Sequence, residues 1–173
     1  MDLSKAIIEG PCTIVFNGVN LGHTLEGVEV TIERDFTDIN VDLYGKTPID
    51  KVLLATRAML KFKLAQPNWP QLDMSMPETS SYDGAGSNDR IDIGGDAGYN
   101  LRRDAKQLVI HPISRLGDLS ADVTFYRAAS FDNVELAYKV DEQRVVEVNM
   151  IALVDESYGS GRRLGHIGQA NVS

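Results

Sequence analysis

Apolar and polar residues alternate with a period of two over several short runs, the pattern of strands with one buried face. Val28, Val30 and Ile32 alternate with Glu29, Thr31 and Glu33. Ile39, Val41 and Leu43 then alternate with Asp38, Asn40, Asp42 and Tyr44. A turn near Arg34 to Thr37 would fold the two runs into an antiparallel hairpin, stopped by Tyr44-Gly45-Lys46-Thr47-Pro48. Its apolar face needs another layer or another subunit. Its polar face carries Glu29, Glu33, Asp38 and Asp42, with no lysine or arginine among these alternating positions. Like charges opposite one another across a hairpin are mildly destabilising, so such a row needs tolerance or a reason.

Other runs fill in the class. Cys12-Thr13-Ile14-Val15-Phe16 is β-rich and ends in Asn17-Gly18, a tight-turn signal. Asp50 to Leu64 is ambiguous at its start: Val52, Leu53 and Leu54 fit a turn or a short helix capped by Thr47 or Asp50. From Arg57 it reads as a strand, with Leu60, Phe62 and Leu64 on one face and Lys61 and Lys63 on the other. Pro67, Pro70 and Pro77 bracket a stretch suited to a short helix or two turns, and Trp69 is expected to pack against the sheet. Glu78 to Arg103 is polar and glycine-rich and reads as a long exposed loop. Strands are expected again at Lys106 to His111, Val123 to Arg127, Val134 to Val140 and Val145 to Val154, with a turn at Asp141-Glu142-Gln143. Asp155 to Ser173 lacks a clear period and is expected to be a loose C-terminal arm. The pattern predicts a mainly β domain: a two-sheet sandwich or barrel with a short flanking helix, long loops and a flexible tail.

Composition narrows the function classes. The 173 residues predict one domain, and 43% hydrophobic with 24% charged residues suits a globular chain. The net charge of −8 opposes a broad phosphate-gripping surface. It is compatible with letting nucleic acid pass without sticking. A single cysteine, Cys12, excludes an intrachain disulfide framework and a thiolate-rich metal site. No run is long enough for a transmembrane helix, and Met1 to Gly10 lacks the features of a secretion signal. A soluble protein made in a reducing cytoplasm is expected.

Catalytic and ligand patterns are weak. His23, His111 and His166 lie far apart. The acidic loop from Asp83 to Asp92 is the best calcium candidate, but its residue order fails the calcium-loop pattern. Gly84-Ala85-Gly86 does not join a strand to a helix, and Gly159-Ser160-Gly161 is not a nucleophile elbow. Acidic pairs such as Asp38 and Asp42 do not differ from a charged sheet face. No enzyme, cofactor or metal site is expected. Lys61/Lys63, Arg102/Arg103 and Arg162/Arg163 are small basic clusters suited to meeting acidic rows on a neighbouring subunit.

From Gly27 to Leu64 the chain resembles a tail tube protein, or major tail protein, of long-tailed bacteriophages. The resemblance rests on Gly27-Val28-Glu29-Val30-Thr31-Ile32-Glu33, Asp38-Ile39-Asn40-Val41-Asp42-Leu43-Tyr44-Gly45, the exit Thr47-Pro48-Ile49-Asp50-Lys51-Val52 and the strand Leu60-Lys61-Phe62-Lys63-Leu64. It covers roughly the first 65 residues; the later strands agree only in class. It implies a subunit of hexameric rings stacked into a tube, found in the virion and made in the bacterial host cytoplasm. Implied partners are other copies of itself, a tail tip or baseplate initiator, and tape measure and terminator proteins. DNA would pass through the lumen without specific binding, and no membrane anchoring is implied. Glu29, Glu33, Asp38 and Asp42 become candidate lumen-facing carboxylates, because an acidic wall repels DNA. Phe36, Tyr44, Pro48, Tyr82, Arg102 and Arg103 become candidate subunit contacts. Alternatives are the inner tube of a contractile injection or bacteriocin particle, a terminator or baseplate component, and a carbohydrate- or calcium-binding β module.

Overall fold

Asn17 and Gly18 both take positive φ, 51° and 79°, the backbone of a two-residue hairpin turn. In the computed structural model, which describes residues 10–22, 24–65, 68–82, 89–115, 117–136 and 145–169, this turn joins β1 (Cys12–Phe16) to β2 (Val19–Asn20). Then follow β3 (Thr24–Asn40), β4 (Pro48–Ala65), α1 (Trp69–Ser75), β5 (Thr79–Tyr82), β6 (Arg90–Ile93), β7 (Lys106–Pro112), β8 (Val123–Ser130), β9 (Val145–Ala152) and β10 (Gly165–Ile167).

The mainly β class with one short helix holds. The large sheet is antiparallel and eight-stranded, in the order β2-β1-β7-β8-β9-β4-β3, with β10 beside β8. Strands β9 and β10 share one edge of β8: β9 takes Ala128 to Ser130 and β10 takes Val123 to Phe125. The sheet curls, so that β1 approaches β3. Strands β5 and β6 form a separate two-stranded sheet.

Alternation builds the core. Ala58, Leu60, Phe62 and Leu64 of β4 are buried, and the last three stand opposite Met150, Val148 and Val146 of β9. Ile14 and Phe16 of β1, with Leu108 and Ile110 of β7, close the cluster. Helix α1 adds Leu72. It starts at Trp69 because Asn68 accepts from the Gln71 N–H while the Gln71 side chain accepts from the Asn68 N–H. Pro70 sits in its first turn, where no donor is needed. The packing expected of the Trp69 side chain lies outside the described residues.

Several expectations are corrected. No turn occurs at residues 34–37: β3 runs through them and takes in the first alternating run and the start of the second, Asp38 to Asn40, while the rest of the second run leaves the strand. The hairpin forms instead between β3 and β4, with the reversal at Asp42–Tyr44, a short 3-10 turn. Residues 50–56, read as a turn or helix, are strand, because β3 offers them an antiparallel partner. The stretch 78–103 is not simply a loop; it carries β5, β6 and a 3-10 turn at Leu101–Arg103. The stretch from residue 155, expected to be without regular structure, carries β10. Of the strand expected at 134–140, residues 134–136 are not strand. Residues 137–140, the turn at 141–143 and most of the proposed calcium loop lie outside the described residues.

Candidate functional site

The β3–β4 hairpin outgrows the rest of the sheet. Strand β9 covers β4 only from Met59 to Ala65, so the remainder of β4 pairs with β3 alone. Beyond the buried Ala58, that distal part is a two-stranded arm exposed over most of both faces. Phe36, Leu43, Tyr44, Ile49, Leu53 and Leu54 all lie in solvent, Leu43 at 82% exposure. Isolated two-stranded ribbons are marginal in water, and contiguous exposed apolar surface of this kind marks a contact site.

The arm has two chemically different faces. Val28 and Val30 pack against the core, so their phase of β3, continued by Ile32, Arg34, Phe36 and Asp38, is the core-side phase. Glu29, Thr31, Glu33 and Asp35 take the opposite, outward phase. Because β3 is continuous, Glu29 and Glu33 therefore do not share a face with Asp38, and Asp42 lies in the turn. The four candidate carboxylates are not one row.

Neither do they face one another. Glu29 stands opposite Lys61, Glu33 opposite Arg57 and Asp38 opposite Lys51. The ion pairs use these bases selectively. Lys51 binds Asp38 at 3.1 Å, Arg57 binds Asp35 at 2.7 Å, and Lys61 binds Glu147 of β9 at 2.6 Å. Lys63 is taken by Glu26. Glu29 and Glu33 are left without an ion-pair partner among the described residues. The outward face thus keeps an anionic surplus, although lysine and arginine run through it. The hydrogen bond and charge of Lys61 hold the Glu147 carboxyl below the usual carboxylate range. The same hydrogen bond raises the Lys61 ammonium.

On the core-side face, between the root of the arm and the C-terminal segment, lies a groove of about 740 Å³. Ile32, Phe36, Leu53, Phe125, Leu164 and Ile167 give it apolar walls, with Arg34 and Arg163 among them. The C-terminal segment is held on β8 by several contacts. Tyr126 and Tyr158 stack with ring centroids 3.6 Å apart, and Arg127 Nε lies 3.1 Å from Asp155 Oδ2. Hydrogen bonds from Ser157, then the charge of Arg127, lower the Asp155 carboxyl.

The other contact candidates are scattered. Phe36 lies in the groove, while Tyr44 and Pro48 flank the exposed tip. Tyr82 is on β5 under the Arg90 guanidinium, 5.6 Å from its ring centroid. Arg102 reaches Glu156 at 3.7 Å, and Arg103 lies over Tyr99 at 5.8 Å. Sequence reasoning missed Leu53, Leu54 and Arg34 as surface features, while Arg163 belongs to one of the basic clusters it named. The unbroken apolar run Val52-Leu53-Leu54 was the available signal, since successive strand residues occupy both faces.

Among the described residues no group of three or more His, Cys, Asp or Glu side chains is placed to hold a metal ion. His111 Nδ1 lies 2.6 Å from Asp122 Oδ1, and His166 Nδ1 lies 3.1 Å from the Tyr126 hydroxyl. No helix among the described residues is long and apolar enough to cross a membrane. Compared with known proteins, the chain matches no family model and no curated protein.

Proposed function

We propose that this chain is a structural subunit of a bacteriophage tail tube, assembled as hexameric rings stacked around a lumen through which viral DNA leaves the virion. One observation carries the reading: a two-stranded arm that projects beyond the core with Phe36, Leu43, Tyr44, Leu53 and Leu54 in solvent. A lone subunit gains nothing from such an arm, whereas a neighbouring copy would bury it. The outer edge of β3 supports the same reading. It ends the large sheet over 17 residues, and another sheet could satisfy its backbone groups.

In this reading the outward face of β3, β4 and β9 lines the lumen. Glu29 and Glu33 supply its unneutralised charge, and the lysines and arginines are occupied by other carboxylates. DNA is densely anionic, so this surface repels it and leaves room for water. Asp38 and Asp42 serve subunit contacts instead. The chain acts without catalysis or a cofactor; its partners are its own copies, an initiator at the tail tip or baseplate, a tape measure and a terminator.

Negative-stain microscopy of the purified chain over a range of concentration and salt tests the proposal. Hollow rings or tubes are expected as concentration rises. Particles that stay monomeric at every concentration, including with a tail-tip initiator added, would overturn it.

A further inference from the structure

The tip of the arm and the groove at its root are complementary. The tip presents Leu43, at 82% exposure the barest large apolar residue described, beside Asp42 and Tyr44. The Asp42 carboxylate has no hydrogen-bond or ion-pair partner among the described residues. The groove offers apolar walls from Ile32, Phe36, Leu53 and Leu164, and two guanidinium groups, Arg34 and Arg163. Neither arginine has an ion-pair partner among the described residues. An unpaired anion beside an exposed leucine thus matches unpaired cations beside an apolar wall.

The tip cannot fill its own groove. From Phe36, within the groove, β3 continues as strand to Asn40 before the turn at Asp42–Tyr44. At about 3.3 Å per strand residue, the tip stands roughly 15 Å beyond Phe36. Folding back would break the β3–β4 pairing that runs to Asn40 and Pro48. The occupant must come from another molecule.

We propose that the turn Asp42–Tyr44 of one copy docks in the groove of a second copy, with Leu43 against Phe36 and Leu164 and the Asp42 carboxylate between Arg34 and Arg163. Lys46, past the turn, stays at the solvent rim. Such a contact joins two different surfaces, so each copy keeps a free tip and a free groove. Repetition then gives closed rings or open filaments, according to the rotation between copies. The inference rests on the self-assembly reading only in requiring a second copy; it does not depend on six-fold closure or on DNA.

Directed cross-linking tests it on the full chain, with Cys12 replaced by Ala throughout. A Leu43→Cys chain is mixed with an Ile167→Cys chain and oxidised; the control partner is Asn133→Cys, exposed on another part of the surface. Unchanged thermal melting of each variant secures folding. The tip–groove pair is expected to yield several-fold more disulfide-linked dimer than the control. Adding Asp42→Arg to the tip chain should abolish the excess, and Arg163→Asp on the groove chain should restore it. Equal yields with groove and control partners, or no restoration on charge exchange, would overturn the docking. Microscopy of the same samples separates the two readings. Tubes without preferential cross-linking overturn the docking alone, whereas preferential cross-linking without tubes supports the docking and counts against the tube.

Discussion

The Lys61 ammonium lies 2.6 Å from Glu147 Oε1 on β9, although Glu29 stands directly opposite Lys61 in the β3–β4 register. This choice frees Glu29 and sets a pH window. The folded Glu147 carboxyl lies below its ordinary 4.5, so its contribution is complete above 4.5 and is lost as pH falls through the lower folded value. The folded Lys61 ammonium lies above its ordinary 10.5, so its contribution is complete below 10.5 and is lost as pH rises through the higher folded value. Glu147→Gln should lower the melting temperature slightly at neutral pH and not in strong acid. Both groups are half exposed, so salt should shrink the difference. Melting curves across pH and salt check this; a neutral-pH deficit that persists in acid contradicts it.

Reversing the free carboxylates tests the lumen. Glu29→Lys with Glu33→Lys should leave folding and tube formation intact and make assembled tubes retain duplex DNA, most strongly at low salt. Co-sedimentation of DNA with tubes measures it. Retention equal to that of the unaltered chain would place these residues away from the channel.

Core and arm should respond differently to truncation. Phe62 is 2% exposed and faces Val148, so Phe62→Ala should cost about 3–5 kcal/mol in chemical unfolding. Leu43→Ala at the tip should change folding by less than about 0.5 kcal/mol, because nothing in its own chain buries it. Its effect should appear in assembly. A large loss of folding stability for Leu43→Ala would show that the tip packs within its own subunit.

Strand β10 depends on Gly165. A Cβ there would lie 2.1 Å from the Thr124 carbonyl oxygen, a backbone atom that cannot step aside. Gly165→Ala should therefore lift β10 from β8, at a cost of about 1–3 kcal/mol. Hydrogen exchange should quicken over residues 165–168, where the Gly168 N–H now donates to the Asp122 carbonyl at 2.7 Å. Unchanged exchange would mean that β8 shifts to accept the methyl group.

Much of the fold was legible because its signals are local. The alternation of Leu60, Phe62 and Leu64 with Lys61 and Lys63 marked β4, and Asn17-Gly18 marked the first turn. Pro67, Pro70 and Pro77 bracketed the stretch that holds α1, leaving a short helix and two turns as alternatives. Less of the candidate site was legible. Arg34-Asp35-Phe36-Thr37 is polar enough to suggest a reversal, and nothing nearby shows that β4 will pair along it, with a register shift between Asp35 and Phe36 that skips Leu54. Gly165 gave no sign of β10, because its role depends on the approach of Thr124 from 41 positions earlier in the chain, where 165 − 124 = 41.

By itself, then, the sequence determined the mainly β class and the core-facing alternation of strands such as the one carrying Leu60, Phe62 and Leu64. Tertiary structure alone decided what each face means. A turn at 34–37 would have reset the phase and let Glu29, Glu33, Asp38 and Asp42 share a face; the unbroken β3 puts Asp38 opposite to Glu29 and Glu33, because side chains alternate without interruption along one strand. The choice of partner strand, a non-local event, placed Arg57 and Lys61 across from those acids, and contacts with Asp35 and Glu147 then took the bases away. The net charge of −8 carried none of this, since it has no direction until strands give it one.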